Sequence, residues 1–342
     1  MNASTDTPRQ SEAPKRDAAL RVAVVIPAWN AASTVARAVG SALAQTEPCR
    51  VVLVDDASSD DTAARAEATA AAMGAEDRLT VIRAPRNAGP AAARNAAIDA
   101  ASEDWIALLD ADDAMEPGRL AALLDAAGDG WDFVADDLYR VAEGDLDGPR
   151  RRLIAETDFE PHALDFEAFV LGNLHGARGR RGELGFLKPL MRRSFLEDHG
   201  LRYDVGVRLG EDYDFYARAL AAGARMKVVN PFGYFAVERA DSISSKHGAA
   251  DLAAVMKADR ALLARPDLAE AERRAVRRHL GPIRREWAWL SLIDAVKARA
   301  PLKALGCFAG PPDVGLSLAA RLGEQAVLRA RRRFAPGGGA AR

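Results

Sequence analysis

The sequence predicts an α/β fold in its first part and a helical extension in its second. Short apolar runs alternate with alanine-rich stretches of helical spacing through the first 135 residues. Three of the first four apolar runs end in polar or turn-forming residues. From about residue 251 onward the pattern is almost entirely helical. These observations indicate a parallel sheet flanked by helices, with the polar strand ends at one edge.

Four apolar runs are predicted as the strands of this sheet. They are RVAVVIP at 21–27, RVVLVDD at 50–56, RLTVIRA at 78–84 and WIALLD at 105–110. Because helical stretches connect them, each connection is a βαβ unit with a right-handed crossover, and the strands are parallel. In such a sheet the ligand crevice lies beyond the carboxyl ends of the strands. The polar ends of the first, second and fourth strands should therefore converge on one site.

The remainder of the chain is less regular. WDFVADDLYRV at 131–141 is predicted as a further strand, whereas residues 142–185 lack clear periodicity and indicate functional loops or disorder. Helices are predicted to end near Gly200 and Gly223. Prolines should break the C-terminal helices near 266, 282, 301 and 311–312. The predicted division is a tail at 1–20, an α/β domain at 21–250, a basic helical region at 251–335 and a tail at 336–342.

Charge is unevenly distributed along the chain. Residues 271–342 contain 15 basic and 5 acidic residues, or +10, whereas residues 1–270 contain 32 basic and 44 acidic residues, or −12. Cys49 and Cys307 match neither a disulfide framework nor a metal-site spacing, which favours the reducing cytoplasm. We find neither the apolar core of a signal peptide nor a run of roughly 18 apolar residues long enough to span a membrane.

Three carboxylates, Asp110, Asp112 and Asp113, follow the buried run WIALL. Charges clustered in this way need solvent, hydrogen-bond donors or a cation to neutralise them. They could begin the helix predicted near Pro117, where the helix dipole favours negative charge. They could instead hold Mg2+ or Mn2+, which binds one or two carboxylates together with substrate phosphates. The neighbouring motifs favour the cation.

Two of these motifs follow the second and third strands. In VDDASSDDT at 54–62, Ser58 or Ser59 can cap the next helix, which leaves the paired acids at 55–56 for a ligand. RNAGPAAARNAA at 86–97 places an arginine in a loop and another one turn into a helix, an arrangement that suits phosphate. No G-x-G-x-x-G follows the first strand, which disfavours an NAD-binding Rossmann enzyme.

Taken together, these segments resemble the inverting glycosyltransferases of family 2, which have the GT-A fold. The matching segments are VVIPAWN, VDDASSDDT, RNAGPAAARN, LLDADD as the D-x-D element and GEDYDF as the later E-D element. They occur in the family's order across residues 22–216. The resemblance extends over roughly residues 20–260, including RRGELGFLKPLMRRSFLEDHGLRY, to the succinoglycan-type exopolysaccharide glucosyltransferases.

The resemblance implies a Rossmann-like, nucleotide-binding mixed sheet over residues 21–250. It also implies transfer of a hexose from a UDP-sugar to a saccharide acceptor with inversion. The similarity to the succinoglycan-type glucosyltransferases implies that the hexose is glucose. A polyisoprenoid-linked acceptor would place the enzyme on the cytoplasmic face of the membrane. Mg2+ or Mn2+ would neutralise the diphosphate of the donor.

The same resemblance assigns roles to individual residues. Asp112 is expected to ligate the cation and Asp110 to contact the ribose. Asp56 is expected to bind uracil beside Pro27 and Asn30. Weaker assignments to the nucleotide-sugar are Arg86 and Arg94.

Catalysis by inversion needs a carboxylate that accepts the proton of the acceptor hydroxyl. Asp212 in GEDYDF occupies the family's base position, and Glu211 beside it is the alternative. A pair of acids at a helix start is also common for structural reasons. His247, in a serine-rich loop after the core, is a candidate further metal ligand.

Two other classes of function are weighed. A nucleotidyltransferase should carry a lysine or arginine in its first βα loop, but PAWNAAST has none before Arg37. Nucleic-acid binding through the basic tail is disfavoured by the acidic residues 1–270. The layout RREWAWLSLIDAVKARAPLKAL suits an interfacial membrane helix, with the apolar face Trp287, Leu290, Ile293 and Val296. Packing of this helix on the catalytic domain is an equal alternative.

Overall fold

A computed structural model describes residues 20–174, 184–238 and 248–334. The strands, in chain order, are β1 Val22–Ala28, β2 Cys49–Asp55, β3 Leu79–Arg83, β4 Trp105–Leu108, β5 Ala114–Met115, β6 Phe133–Asp136, β7 Tyr139–Ala142, β8 Arg151–Arg152, β9 His162–Ala163, β10 Leu190–Arg192, β11 Met226–Val229 and β12 Tyr234–Glu238.

The helices surround these strands and form most of the C-terminal part. They are α1 Val35–Leu43, α2 Thr62–Ala72, α3 Pro90–Ala100, α4 Arg119–Ala127, α5 Phe166–Gly172, α6 Arg193–Asp198, α7 Glu211–Ala221, α8 Ala249–Leu263, α9 Glu270–Lys297, α10 Pro301–Gly306 and α11 Pro312–Phe334. Short 3-10 turns lie at Glu76–Arg78 and Leu184–Phe186.

The strands form a mixed sheet of eight and a smaller sheet of four. The order of the large sheet is β3-β2-β1-β4-β10-β6-β11-β9, and that of the small sheet is β5-β12-β7-β8. The first four strands are mutually parallel, as predicted. Strand β10 runs antiparallel between β4 and β6, which makes the sheet mixed. This is the α/β arrangement expected from the resemblance.

The sheet is covered on both faces because its central strands are apolar on both. In β1, Ala23 and Val25 belong to the core on the side of α3, whereas Val24 and Ile26 belong to the core on the side of α1. Full burial of a Val or Ile side chain contributes roughly 1.5–3 kcal/mol. A rigid double-sided core therefore fixes the positions of the loops at the carboxyl edge.

The C-terminal helices divide between two cores. Helix α8 and the first half of α9 pack into the core on the side of α3, which we call the main core. They contribute Val255 and Val276 to it. The second half of α9 instead forms a small core with α10 and α11, centred on Leu292 and Leu318. In the predicted interfacial face, Trp287 is partly buried against this small core, and only Val296 is strongly exposed. Within the described ranges, every helix is too short or too polar to cross a bilayer.

Several local predictions are confirmed. Gly200 and Gly223 follow helices α6 and α7 with φ of +58° and +92°, a conformation that glycine adopts without steric cost. Cys49 and Cys307 are both free.

Other local predictions are wrong. WDFVADDLYRV is not one strand but two, β6 and β7, in different sheets, and the buried Asp136 and Asp137 lie where the first of them ends. Asp137 accepts backbone N–H groups from residues 153–155. Helix α9 runs through Pro282, since packing on both sides of the proline holds it. Helix α2 starts at Thr62, so neither Ser58 nor Ser59 caps it.

The segment predicted to be irregular, residues 142–185, also contains regular structure. Strands β8 and β9 and helix α5 lie within its described part. Helix α5 packs into the main core through Phe166, Phe169 and Val170. Part of this segment therefore stabilises the fold.

Candidate active site

The candidate site lies at the carboxyl ends of β1, β2 and β4. Because β1 lies between the other two strands, the segments that follow them leave the sheet side by side. The Ala28 carbonyl accepts a hydrogen bond from the N–H of Asp56 at 2.8 Å, and the Val25 carbonyl accepts one from that of Leu109 at 3.0 Å. The predicted convergence of the three polar strand ends is confirmed.

The loop after β1 is joined to the loop after β2 through Asn30. This residue has φ of +49°, a left-handed conformation that asparagine tolerates better than most residues. Its N–H donates to Ser58 Oγ at 2.9 Å, and its Oδ1 accepts from the N–H of Ser59 at 2.9 Å. Trp29 beside it is 50% exposed. The loop after β1 therefore carries a half-exposed aromatic side chain, and the hydrogen bonds of Asn30 hold this loop to the loop after β2.

Asp56 connects the second strand to helix α3. Its buried carboxylate accepts the backbone N–H groups of Ala88 at 2.9 Å and Gly89 at 2.7 Å. Gly89 precedes the helix with φ of +89°, which favours glycine. Asp56 thus fixes the start of α3, and each of its carboxylate oxygens retains a second lone pair for a ligand. Arg86, in the loop before the helix, is exposed.

Arg94 lies one turn into α3 and is 3% exposed, which excludes a stray surface arginine. Its guanidinium donates to Asp110 Oδ1 at 2.8 Å and to Glu211 Oε1 at 2.9 Å, and it lies 3.5 Å from Asp212 Oδ1. The structure therefore brings three sequence motifs together around one buried cation. Burial alone would lower the pKa of Arg94, but the surrounding carboxylates raise it well above its usual value.

A second buried cation, Lys188, completes this group. Its Nζ lies 2.8 Å from Asp212 Oδ2 and 3.1 Å from Asp110 Oδ2. We call Arg94, Asp110, Lys188, Glu211 and Asp212 the charge cluster. It contains two positive and three negative groups, so one negative charge remains uncompensated when all five are ionised.

The cluster shifts the ionisation of its own members. Burial would raise the pKa of Asp110, but Lys188 and Arg94 hold it far below its ordinary value. Burial would lower the pKa of Lys188, but Asp110 and Asp212 raise it. For Glu211, burial and then the neighbouring Asp212 raise the pKa, and Arg94 opposes them. Asp110 and Lys188 therefore form an ionised pair at neutral pH.

The three acids that follow β4 have different surroundings. Asp113 is buried and accepts hydrogen bonds from the Tyr234 hydroxyl at 2.7 Å and the Val237 N–H at 2.9 Å. Its pKa is raised by burial first, and then by Asp110 and Asp112. Asp110 is a member of the charge cluster. Asp112 lies between them and is half-buried, and its main-chain carbonyl accepts a hydrogen bond from Arg37.

Few of the described side chains at this site could bind a metal ion. Over residues 20–174, 184–238 and 248–334, no three His, Cys, Asp or Glu side chains are grouped closely enough to enclose a cation. Asp112 is compatible with the usual mode of Mg2+ binding, in which one or two carboxylates and substrate phosphates share the ion. His247, the other predicted ligand, lies outside the described residues.

Sequence reasoning missed Lys188 and Tyr234 as members of the site. The signal for Lys188 was a lysine within the apolar stretch FLKPL, since a lysine that is buried needs an anion beside it. No pattern identified Tyr234, which reaches the D-x-D element from β12. Its hydroxyl accepts from the Asp110 N–H at 3.2 Å and donates to Asp113, so it orients both ends of that turn.

The sequence of this chain is similar to those of known proteins. Residues 23–187 match the glycosyl transferase family 2 domain. The chain is 46% identical over 287 residues to the succinoglycan biosynthesis protein ExoU of Rhizobium meliloti, covering 83% of this chain and 82% of that protein. It is 35% identical to the succinoglycan biosynthesis protein ExoO of the same organism, covering 88% and 86%.

Solved structures share the fold at low sequence identity. Staphylococcus aureus TarS in complex with UDP-GlcNAc superposes with a TM-score of 0.61 at 17% identity, covering 89% of this chain and 92% of that one. The mannosyltransferase PcManGT of Pyrobaculum calidifontis, in complex with GDP-Man and Mn2+, superposes with a TM-score of 0.54 at 17% identity, covering 90% and 80%. These likenesses concern the fold alone.

Proposed function

The chain belongs to glycosyl transferase family 2, and from this premise we propose that it transfers a hexose, glucose, from a UDP-sugar to a saccharide acceptor with inversion. The observation that carries the proposal is the charge cluster, in which Arg94 and Lys188 join Asp212 to Asp110, the first acid after β4. The succinoglycan biosynthesis relatives support a role in exopolysaccharide synthesis.

The uridine is proposed to bind at the ends of β1 and β2. The half-exposed ring of Trp29 offers a flat face on which uracil can stack, and Asp56 retains acceptor capacity for the base beside Pro27 and Asn30. The side chain of Asp110 is 29% exposed, which leaves it accessible to the ribose while Arg94 and Lys188 hold it.

Asp112, with His247 as the further candidate, is proposed to hold Mg2+ or Mn2+ against the donor diphosphate. When bound, the cation neutralises negative charge on the phosphates. The residues of the chain supply the remaining positive charge nearby. Arg94 is already paired with Asp110 and Glu211, so its role is to hold the carboxylates, while the exposed Arg86 is the candidate phosphate contact.

Asp212 is proposed as the general base. Its Oδ2 is held by Lys188, whereas its buried Oδ1 accepts no close hydrogen bond from the described residues. In the transfer step, Oδ1 takes the proton of the acceptor hydroxyl as that oxygen bonds to the anomeric carbon. The bond from the anomeric carbon to the phosphate oxygen breaks, and its electron pair leaves with UDP. Attack from the side opposite the leaving group inverts the anomeric configuration.

A polyisoprenoid-linked acceptor is proposed, with the enzyme on the cytoplasmic face of the membrane. The support is a surface around α10. Its exposed apolar side chains are Val296, Leu302, Leu305 and Phe308. Exposed basic side chains at 297, 299 and 303 lie among them in the chain. We call these seven residues the apolar–basic face, a combination that binds anionic lipid surfaces.

A donor screen tests the proposed reaction. Release of nucleoside diphosphate should be measured from UDP-glucose, UDP-galactose, UDP-GlcNAc and GDP-mannose, with lipid-linked saccharide extracted from an exopolysaccharide-producing bacterium as acceptor. UDP-glucose should be consumed fastest, and NMR of the product should show an anomeric configuration opposite to that of the donor. A preference for GDP-mannose would contradict the uridine assignment, and retained configuration would contradict the single displacement.

A further inference from the structure

Lys188 is the least expected member of the charge cluster. It lies in the segment between the 3-10 turn Leu184–Phe186 and strand β10, and its side chain is only 6% exposed. A buried lysine is costly unless anions compensate for its charge. Its single Nζ contacts two carboxylates, Asp110 on the donor side and Asp212 on the acceptor side.

We propose that Lys188 is a positioning residue for the general base: it binds Asp212 Oδ2 and thereby leaves Oδ1 as the oxygen that accepts the proton. This inference rests on the proposed role of Asp212 and goes beyond it by naming the group that selects the reactive oxygen. It also assigns Lys188 a second contact, Asp110, that connects the base to the donor side of the crevice.

The geometry of the two Asp212 oxygens supports this. Oδ2 accepts the ammonium hydrogen bond at 2.8 Å. Oδ1 is buried, accepts no close hydrogen bond from the described residues and lies 3.5 Å from the Arg94 guanidinium; the buried Tyr203 hydroxyl interacts with the same carboxylate. A carboxylate held through one oxygen cannot rotate freely, so the other oxygen keeps a fixed direction. Arg94 does not hold Oδ2: its terminal nitrogens donate to Glu211 and Asp110, and its contact with Asp212 is to Oδ1, at 3.5 Å.

The main chain around Lys188 is itself anchored. The Lys188 carbonyl accepts a hydrogen bond from Arg119 at 2.6 Å. The preceding carbonyl, of Leu187, accepts one from the Tyr216 hydroxyl at 2.9 Å. Tyr216 lies on α7, the helix that begins with Glu211 and Asp212. Lys188 and Asp212 are therefore held relative to each other by the same helix, as expected of preorganised catalytic groups.

Electrostatics explains why a cation is required at this point. Asp110, Glu211 and Asp212 would repel one another without compensation, because ionised groups in a buried site interact more strongly than in water. Removal of Lys188 would leave Arg94 alone against three carboxylates. We expect Asp212 to turn toward Arg94 in that case, which would engage Oδ1 and remove it from the acceptor hydroxyl.

A double-mutant cycle tests this inference. Transfer rates should be measured for the wild type and for Lys188→Met, Asp212→Asn and the double variant, with UDP binding measured by calorimetry. Lys188→Met should lower kcat at least about tenfold and leave UDP affinity within about twofold of the wild type. In the Asp212→Asn background the same substitution should change the residual rate by less than about twofold, since residues that act as a unit are not additive.

A purely structural role would behave differently. In that case, Lys188→Met would slow both backgrounds by the same factor, and this result, or a wild-type kcat in Lys188→Met, would overturn the inference. Lys188→Arg, which keeps the positive charge, should recover part of the rate. If Lys188→Met does not fold, Lys188→Arg and Lys188→Gln replace it in the same cycle, with the same criterion of non-additivity.

The cycle also separates this inference from the proposed function. Full activity of Asp212→Asn would remove the proposed base, whatever Lys188 does. An inactive or slow Asp212→Asn, combined with a Lys188 effect that multiplies in its background, would leave the base in place and reject the positioning role alone.

Discussion

Adjacent acids in this site have different environments and should have different roles. Asp113 is engaged by Tyr234 and by the Val237 N–H, so its carboxylate stabilises the turn after β4. Asp112 is the member of the D-x-D element that we propose for the cation. The difference arises from β12, which approaches the turn from a segment more than 100 residues further along the chain.

A paired substitution tests this difference. Asp112→Asn should weaken UDP binding strongly in the presence of Mg2+ or Mn2+, because a ligand of the cation loses its charge. Asp113→Asn should bind UDP nearly as the wild type does, since the Asp113 carboxylate contacts Tyr234 and the Val237 N–H and is not proposed to bind the cation. Calorimetry with Mn2+, with Mg2+ and with EDTA provides the measurement. UDP affinity that is the same in EDTA and in Mn2+ would rule out the metal.

The base is tested with a second pair of neighbours. Asp212→Asn keeps the shape of the side chain but cannot accept the proton, so transfer should fall by about 10²- to 10⁴-fold while UDP affinity is kept. Glu211→Gln is the control. Glu211 is held by Arg94, so this variant is expected to retain most activity. An active Asp212→Asn beside an inactive Glu211→Gln would move the base by one residue.

The uridine site depends on one exposed side chain. Trp29→Ala should weaken UDP binding by about 1–3 kcal/mol, the range found for stacking of a base on an aromatic ring. Trp29→Tyr retains an aromatic face and should lose much less. Calorimetry of UDP and of pyrophosphate distinguishes the two parts of the ligand, and only UDP binding should respond. An equal loss for pyrophosphate would indicate a general disturbance of the loop.

At the level of elements, one buried ion pair joins α4, β6 and the segment that carries Lys188. Arg119 and Asp136 are both inaccessible to solvent and lie 2.7 Å apart. Arg119 also donates to the Lys188 carbonyl, and Asp136 accepts the N–H of Phe232 at 3.0 Å. This pair therefore anchors the main chain at Lys188, a member of the charge cluster.

Removal of one partner should be costly. Arg119→Met leaves a buried carboxylate without its cation and should lower the free energy of unfolding by about 3–5 kcal/mol. Arg225→Met is the matched control, because that arginine is 56% exposed and pairs with Asp132, so only a small loss is expected. Urea denaturation measures both variants. Equal losses would show that burial does not control the strength of these pairs.

A second buried group joins α7 to the C-terminal helices. Asp259 on α8 accepts a hydrogen bond from the Tyr213 hydroxyl at 2.8 Å and contacts His279 on α9 at 2.9 Å. Tyr213 directly follows Asp212 in the chain. The helices after residue 250 are thus coupled to the helix that carries the proposed base, in line with the alternative that a C-terminal helix packs on the catalytic domain.

For the whole molecule, the apolar–basic face predicts binding to anionic membranes. The full chain should sediment with phosphatidylglycerol vesicles at low salt and be released as salt screens the basic residues. Leu302→Asp/Leu305→Asp should weaken sedimentation at least about tenfold, because it removes apolar side chains that are 83% and 69% exposed and adds negative charge.

The control for this experiment lies elsewhere on the surface. Val205, in the loop between α6 and α7, is 59% exposed, and Val205→Asp should sediment as the wild type does. Truncation near residue 270 is a poor test, because it would remove Val276 from the main core and His279 from its contact with Asp259. If the wild type ignores anionic vesicles at low salt, membrane attachment through this face is wrong.

The sequence by itself determined the strands β1 to β4, their parallel arrangement and the edge at which their polar ends meet. These follow from local pattern, since apolar runs separated by helical stretches allow few topologies. The motif residues Asp56, Asp110 and Asp112 could be located for the same reason, because each lies in the first turn of chain after a strand end.

Only the tertiary structure decided which of these residues share a contact. Arg94 and Glu211 are 117 residues apart in the chain but lie at hydrogen-bonding distance, and Lys188 contacts acids 78 and 24 residues away. Asp136, at the end of β6, is likewise paired with Arg119 on α4, a partner from another element. Buried charges are paired by whichever elements the fold brings together, and that pairing is not encoded in local periodicity.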